Sequence, residues 1–236
     1  ESNGATPTFG FPYTNGFISA SASVGWTETN GPMTVWEYGR PTSGPGAAFF
    51  PGTNVWGTIL AGDYPNEAEA SIYTPRFDLA GSVSPKLSFR QWYSTETSWD
   101  KTWVYATTNC GDSWFKIVGS NTGSSGGWNL AVVDLNAWKT RTMQFRFRFQ
   151  SDTSVTYPGW YIDNFTIADG VPGSGPLLVY NSPATGATNF VTNMNVVAKI
   201  LDDLTTVSNT INVTVGGTAA ITAGAFVGGA TGTSRR

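Results

Sequence analysis

Apolar and polar residues alternate along this chain with the period of strands, not helices. Met143-Gln144-Phe145-Arg146-Phe147-Arg148-Phe149-Gln150 alternates without a fault, which predicts a strand with one face in a core and the other in solvent. Lys86 to Trp92 and Ile211 to Val215 alternate in the same way. Clusters rich in turn-forming residues punctuate them: Gly44-Pro45-Gly46, Pro51-Gly52-Thr53-Asn54, Asn109-Cys110-Gly111-Asp112 and Gly123 to Gly127. Only Leu135 to Lys139 hints at a helical turn, and neither heptads nor βαβ alternation occur. The expectation is an all-β protein.

A Gly/Pro/Ser stretch at 170–176 marks a linker between two strand-rich regions. All ten tryptophans precede it, and residues 177–236 hold none. The predicted organisation is therefore a larger module over 1–169 and a small β module over 177–236. The second is short for a complete immunoglobulin-like sandwich, which takes about 100 residues. It is a fragment or it borrows a strand.

Composition narrows the chemistry. Among 236 residues there is no histidine, which removes Ser-His-Asp and Cys-His catalysis and His-ligated metals. The single cysteine, Cys110, leaves no intramolecular disulfide and is expected to be a small buried hydrophobe. With 13 Lys and Arg against 16 Asp and Glu there is no basic excess for a nucleic acid. No run of 18 strongly apolar residues predicts a membrane span, and the Gly224–Gly228 small-residue match lies in a stretch rich in Thr and Gly. The chain starts ESNGATPT, as a mature secreted product or an excised segment would.

Several separated motifs carry a resemblance: Trp36 to Ala47, Asn54-Val55-Trp56-Gly57-Thr58, Gly62-Asp63-Tyr64, and Gly159-Trp160-Tyr161-Ile162-Asp163-Asn164. Leu87-Ser88-Phe89, Trp92-Tyr93, Glu96 and Asp100 stand between them in order. Together they resemble the MAM-like jelly-roll module of immune inhibitor A-type secreted bacterial proteins, over residues 9–168. The region from Asn181 to Asp203 resembles the start of a bacterial immunoglobulin-like domain. The resemblance implies a jelly-roll β-sandwich whose core is filled by Trp36, Trp56, Trp92 and Trp160. It also implies an extracellular accessory module with no enzymatic activity, and related jelly rolls hold a structural calcium.

A calcium ion needs six to eight oxygen ligands. Glu96 and Asp100 share one loop, Asp163 closes the Gly-Trp-Tyr-Ile-Asp motif, and Asp63 follows Gly62, so these four are the candidate ligands. Turn-capping carboxylates are the competing reading. Paired carboxylates can also serve a glycosidase, but the resembled family offers no catalytic precedent. Trp99 and Trp103 are the candidate rings for a carbohydrate, and Trp99, between Ser98 and Asp100, is the one expected at the surface. Arg146 and Arg148 read as ordinary exposed cations, and the sequons at Asn164 and Asn212 as incidental.

Three functions remain open: a non-catalytic extracellular binding or adhesion module, a subunit of a filament or surface layer assembled by strand exchange, and an accessory domain of a secreted metalloprotease. The partners expected are other protein modules, copies of itself, or carbohydrate.

Overall fold

The computed structural model describes residues 6–30, 35–49, 52–140 and 142–170, together with the backbone of 177–182, 197–201, 211–215 and 218–223. The chain divides into two compact units, Glu1–Gly170 and Val171–Arg236. The described residues contain no α-helix, only a 3-10 turn at Ala20–Ser23, and nothing among them is a helix long and apolar enough to cross a membrane. The hint at Leu135–Lys139 is one turn, closed by the Trp138 amide on the Leu135 carbonyl at 2.9 Å.

Among its described residues the first unit holds thirteen strands: β1 (Thr8–Phe9), β2 (Tyr13–Asn15), β3 (Thr27–Asn30), β4 (Trp36–Gly39), β5 (Val55–Thr58), β6 (Glu69–Tyr73), β7 (Arg76–Phe77), β8 (Pro85–Ser94), β9 (Lys101–Thr107), β10 (Phe115–Asn121), β11 (Asn129–Asp134), β12 (Gln144–Gln150) and β13 (Gly159–Asp169). They form two antiparallel sheets. One runs β10-β9-β12-β6-β3; the other runs β11-β8-β13-β5-β4, with β2 also on β13. Short β1 and β7 pair in parallel.

The sheets face each other across an aromatic core, as strand periodicity requires. Phe145, Phe147 and Phe149 of β12 are fully buried, while Arg146 and Arg148 turn outward. Phe147 is the hub. Its ring meets Phe89 at 5.1 Å, Trp160 at 5.6 Å and Trp26 at 6.2 Å. Trp36, Trp56 and Trp160 fill the interior as expected, joined by Trp26. Offset and edge-on pairs of this kind each add about 0.5–1.5 kcal/mol beyond area burial.

Trp92 is a correction. In β8 the inward set is Leu87, Phe89 and Gln91, and Gln91 accepts the Trp160 indole N–H at 3.1 Å. Trp92 lies on the opposite face, edge-on to Tyr161 at 5.5 Å. Cys110 is a second correction. It stands in the turn its sequence predicts, between β9 and β10, but at a left-handed position (φ 62°) that leaves it exposed, not buried.

The second unit shows two antiparallel hairpins. One is β14 (Leu177–Ser182) with β15 (Val197–Leu201), and the other is β16 (Ile211–Val215) with β17 (Thr218–Ala223). The linker from 171 to 176 and the Gly-rich tail from 224 lie outside the described residues.

Candidate functional site

Glu96 and Asp100 stand on the loop between β8 and β9, and the register of the five-stranded sheet gives them a third carboxylate. Gln150 at the end of β12 pairs with Lys101 at the start of β9. Asp100 immediately precedes Lys101 and Asp152 lies two residues beyond Gln150, so both leave the sheet at the same end, where the Asp152 amide reaches Asp100. One oxygen from each of Glu96, Asp100 and Asp152 lies within 4.8 Å of the others. Sequence reasoning missed Asp152, because only the pairing of β9 with β12 reveals it.

Asp100 is fully buried and satisfied. The Tyr64 hydroxyl donates to its Oδ2, and the Asp152 amide donates to its Oδ1 at 2.8 Å. The same Tyr64 oxygen accepts the Glu96 amide at 3.1 Å. Burial, together with the Asp100 carboxylate that its proton serves, drives the Tyr64 phenol well above its ordinary range, so it acts as a donor throughout. The Glu96 carbonyl receives the Asp100 amide at 3.2 Å and the Thr122 hydroxyl at 2.9 Å. Glu96 itself is part-exposed, but its Oε2 is turned inward, closed off from solvent and without a hydrogen-bond partner. Desolvation and the charges of Asp152 and Asp100 hold its carboxyl above the usual range.

Asp163 and Asp63 do not join this cluster. Asp163 is fully buried in β13, in register with Arg90. Its Oδ1 accepts the Asn164 amide at 2.7 Å, while Oδ2 has no partner. Burial pushes its carboxyl up to about 8 against the lowering pull of the Asn164 and Phe49 amides. Asp63 is exposed, and its charge, with burial as the larger cause, helps raise the Tyr161 phenol to about 12. Asn164 is only 8% exposed, so the first sequon is closed to a glycan.

The candidate rings separate. Trp99, at the tip of the acidic loop, is 64% exposed. In the loop between β12 and β13, Val155 and Tyr157 are also exposed, and the Tyr157 carbonyl accepts the Tyr64 amide at 3.1 Å. Trp103 lies elsewhere, on the outer face of β9, where the Arg148 guanidinium covers it at 5.0 Å. Chemically, the cluster offers hard oxygen donors and an exposed ring. Trp99, Val155 and Tyr157 leave that end of the sandwich partly apolar.

Comparison with known proteins gives the following. No family model matches the chain. Bacillopeptidase F of Bacillus subtilis (strain 168) is 33% identical over 149 residues, which is 63% of this chain and 10% of that protein. The K1 cleaved adhesin domain of Lys-gingipain from Porphyromonas gingivalis W83 is 19% identical, covering 68% of this chain and 99% of that one, with a TM-score of 0.43. A carbohydrate-binding module, TmCBM61 in complex with β-1,4-galactotriose, is 10% identical over 61% of this chain and 88% of that one, with a TM-score of 0.44.

Proposed function

We propose that the chain is a non-catalytic binding and accessory part of a larger extracellular protein. The observation that carries this reading is the 149-residue match to only a tenth of Bacillopeptidase F. A match of that length exceeds the second unit, residues 171–236, and so falls largely in the first. We read the shared part as centred on the sandwich, a tenth of the relative's length and not a whole enzyme. The sandwich has no histidine to activate a hydroxyl, and its buried Asp100 is committed to Tyr64 and to the Asp152 amide. We read the first unit as a MAM-like jelly roll and the second as part of an immunoglobulin-like module. The strand-exchange alternative depends on segments outside the described residues.

Within this reading, the Glu96–Asp100–Asp152 cluster holds a structural calcium. The donors are all hard oxygens, and the inward Glu96 Oε2 lacks any other partner, which fits the group. When bound, the ion would supply charge neutralisation and tie the 95–100 loop to residue 152. Trp99 is the ring that would meet a neutral sugar. Purified chain should turn over neither casein nor aryl glycosides, and turnover abolished by Glu96→Gln would overturn the non-catalytic reading. Unfolding midpoints that agree with and without chelator would remove the calcium, since a ligand of the native state must stabilise it.

A further inference from the structure

The outer face of the five-stranded sheet carries a charge that the composition hides. Register places Arg146 beside Tyr105 and Tyr73, Arg148 beside Trp103, and Lys116 beside Tyr105. Period two puts Lys101 on the same face as Trp103. Among the described strand residues, four cations therefore share this face with one carboxylate, Glu69, in a chain whose net charge is −3.

The two arginines are held flat. The Arg146 guanidinium carbon is 4.5 Å from the Tyr105 ring centre and 5.2 Å from that of Trp114, so it lies against two rings. Trp114 is itself braced edge-on by Tyr73 at 5.5 Å. Arg148 covers Trp103 and donates to Glu69 Oε1 at 2.9 Å and to Gln150 Oε1 at 3.3 Å. Arg146 has no such acceptor among the described residues, and its Nε is closed off from water without a partner. A guanidinium fixed by stacking has lost its rotamer freedom before any ligand arrives, and its planar fork suits carboxylate or sulfate.

We propose that this face binds an acidic polysaccharide. The partner is chosen by two features. The cations repeat, with Arg146 and Arg148 about 6.6–6.8 Å apart along β12 and neighbouring strands about 4.7–4.9 Å apart, which suits a polymer that repeats its charge. The cations also alternate with Trp103, Trp114, Tyr73 and Tyr105, all part-exposed, whose ring edges and faces suit the apolar side of a pyranose. The assignment gives a ligand class to the binding module proposed above, at a place independent of Trp99 and of the carboxylate cluster.

Affinity electrophoresis of the full chain tests it, using polygalacturonate, dextran sulfate, neutral dextran and poly-glutamate. Wild type should be retarded by one or both acidic glycans but not by dextran, with polygalacturonate alone indicating carboxylate and dextran sulfate indicating sulfate. Arg146→Gln should weaken binding about tenfold, and Arg146→Lys should recover only part of it because the fork is lost. Trp103→Leu keeps every charge and should weaken binding several-fold. Urea midpoints confirm that each variant is folded. No retardation of wild type by either acidic glycan overturns the proposal, as does equal retardation of wild type and Arg146→Gln. Retention by poly-glutamate as strong as by the glycans would assign the face to acidic polypeptide instead. Any of these results leaves the non-catalytic reading standing, because turnover tests that separately.

Discussion

Tyr64→Phe isolates what holds the acidic end of the sandwich together. The substitution removes one oxygen and leaves the ring, which packs edge-on to Phe149 at 4.8 Å and is only 1% exposed. Two hydrogen bonds disappear: the one donated to Asp100 Oδ2 and the one accepted from the Glu96 amide. A bond to a charged acceptor contributes about 1.5–3 kcal/mol and a neutral one about 0.5–1.5 kcal/mol, and both partners are left short of a mate. Asp100 keeps the Asp152 amide on its other oxygen, so the lower half of the summed range is expected, about 2–3 kcal/mol. For a unit of this size that lowers Tm by roughly 4–12 °C. Tryptophan fluorescence is the natural assay, because all ten tryptophans lie at or before residue 160 and report on the first unit alone. Urea unfolding should show an unchanged slope and a lower midpoint. A loss below about 0.5 kcal/mol, the scale of ordinary surface substitutions, would show that the loop does not depend on this phenol.

Two further perturbations probe the opposite sheet. Asp163 has a folded value near 8 against an ordinary 3.8, so the folded state binds the extra proton between these limits. In chelator, stability should therefore fall as pH rises from about 4 to about 8, with this group contributing up to about 1.4 kcal/mol per pH unit. Asp163→Asn should flatten that slope; parallel pH profiles for the two proteins would contradict the burial account. Tyr38, the phenol that feels this charge, stays protonated over the range because burial raises it. Gly159→Ala should cost about 3 kcal/mol or more, since φ is +98° and a new Cβ would collide with Thr58 Oγ1. The hydroxyl cannot simply yield, as it accepts the Trp160 amide at 2.8 Å. Gly119→Ala, with open space around it, serves as the control, and equal urea midpoints for the two would refute the steric reading.

Periodicity was legible wherever one face was buried. The Phe-Arg-Phe-Arg-Phe run announces β12 and its two faces, and the Trp-rich composition announces an aromatic interior. The same rule already placed Trp92 outside, since it shares its parity in β8 with Ser88 and Arg90 and not with Leu87 and Phe89. Assigning it to the core let a motif override the period. Cys110 went wrong for a different reason: its place in the Asn109–Asp112 turn cluster was legible, but the general tendency of a lone thiol to be buried was allowed to outweigh it. Asp152 could not be read at all. It joins Asp100 only because β12 meets β9 with Gln150 opposite Lys101, a pairing between segments about fifty residues apart.

The two outer faces of the sandwich have been treated differently by the chain, and this difference bears on function. On the six-stranded sheet, the loop after β4 folds back over the outer face: Ser43 reaches the Tyr161 hydroxyl at 3.0 Å, and the Phe49 ring lies 4.3 Å from the Arg90 guanidinium carbon. Tyr161 and Asp163 are fully buried there, although they point away from the core between the sheets. On the five-stranded sheet the equivalent positions stay part-exposed and hold stacked arginines and large rings. A spacer needs neither, because threonine and serine would dress an outer strand face at less cost in desolvation and rotamer entropy. The part-exposed aromatic and cationic side chains of the five-stranded sheet, set against an opposite face that the loop after β4 shields around Tyr161 and Asp163, are the contrast on which the proposed acidic-glycan face rests.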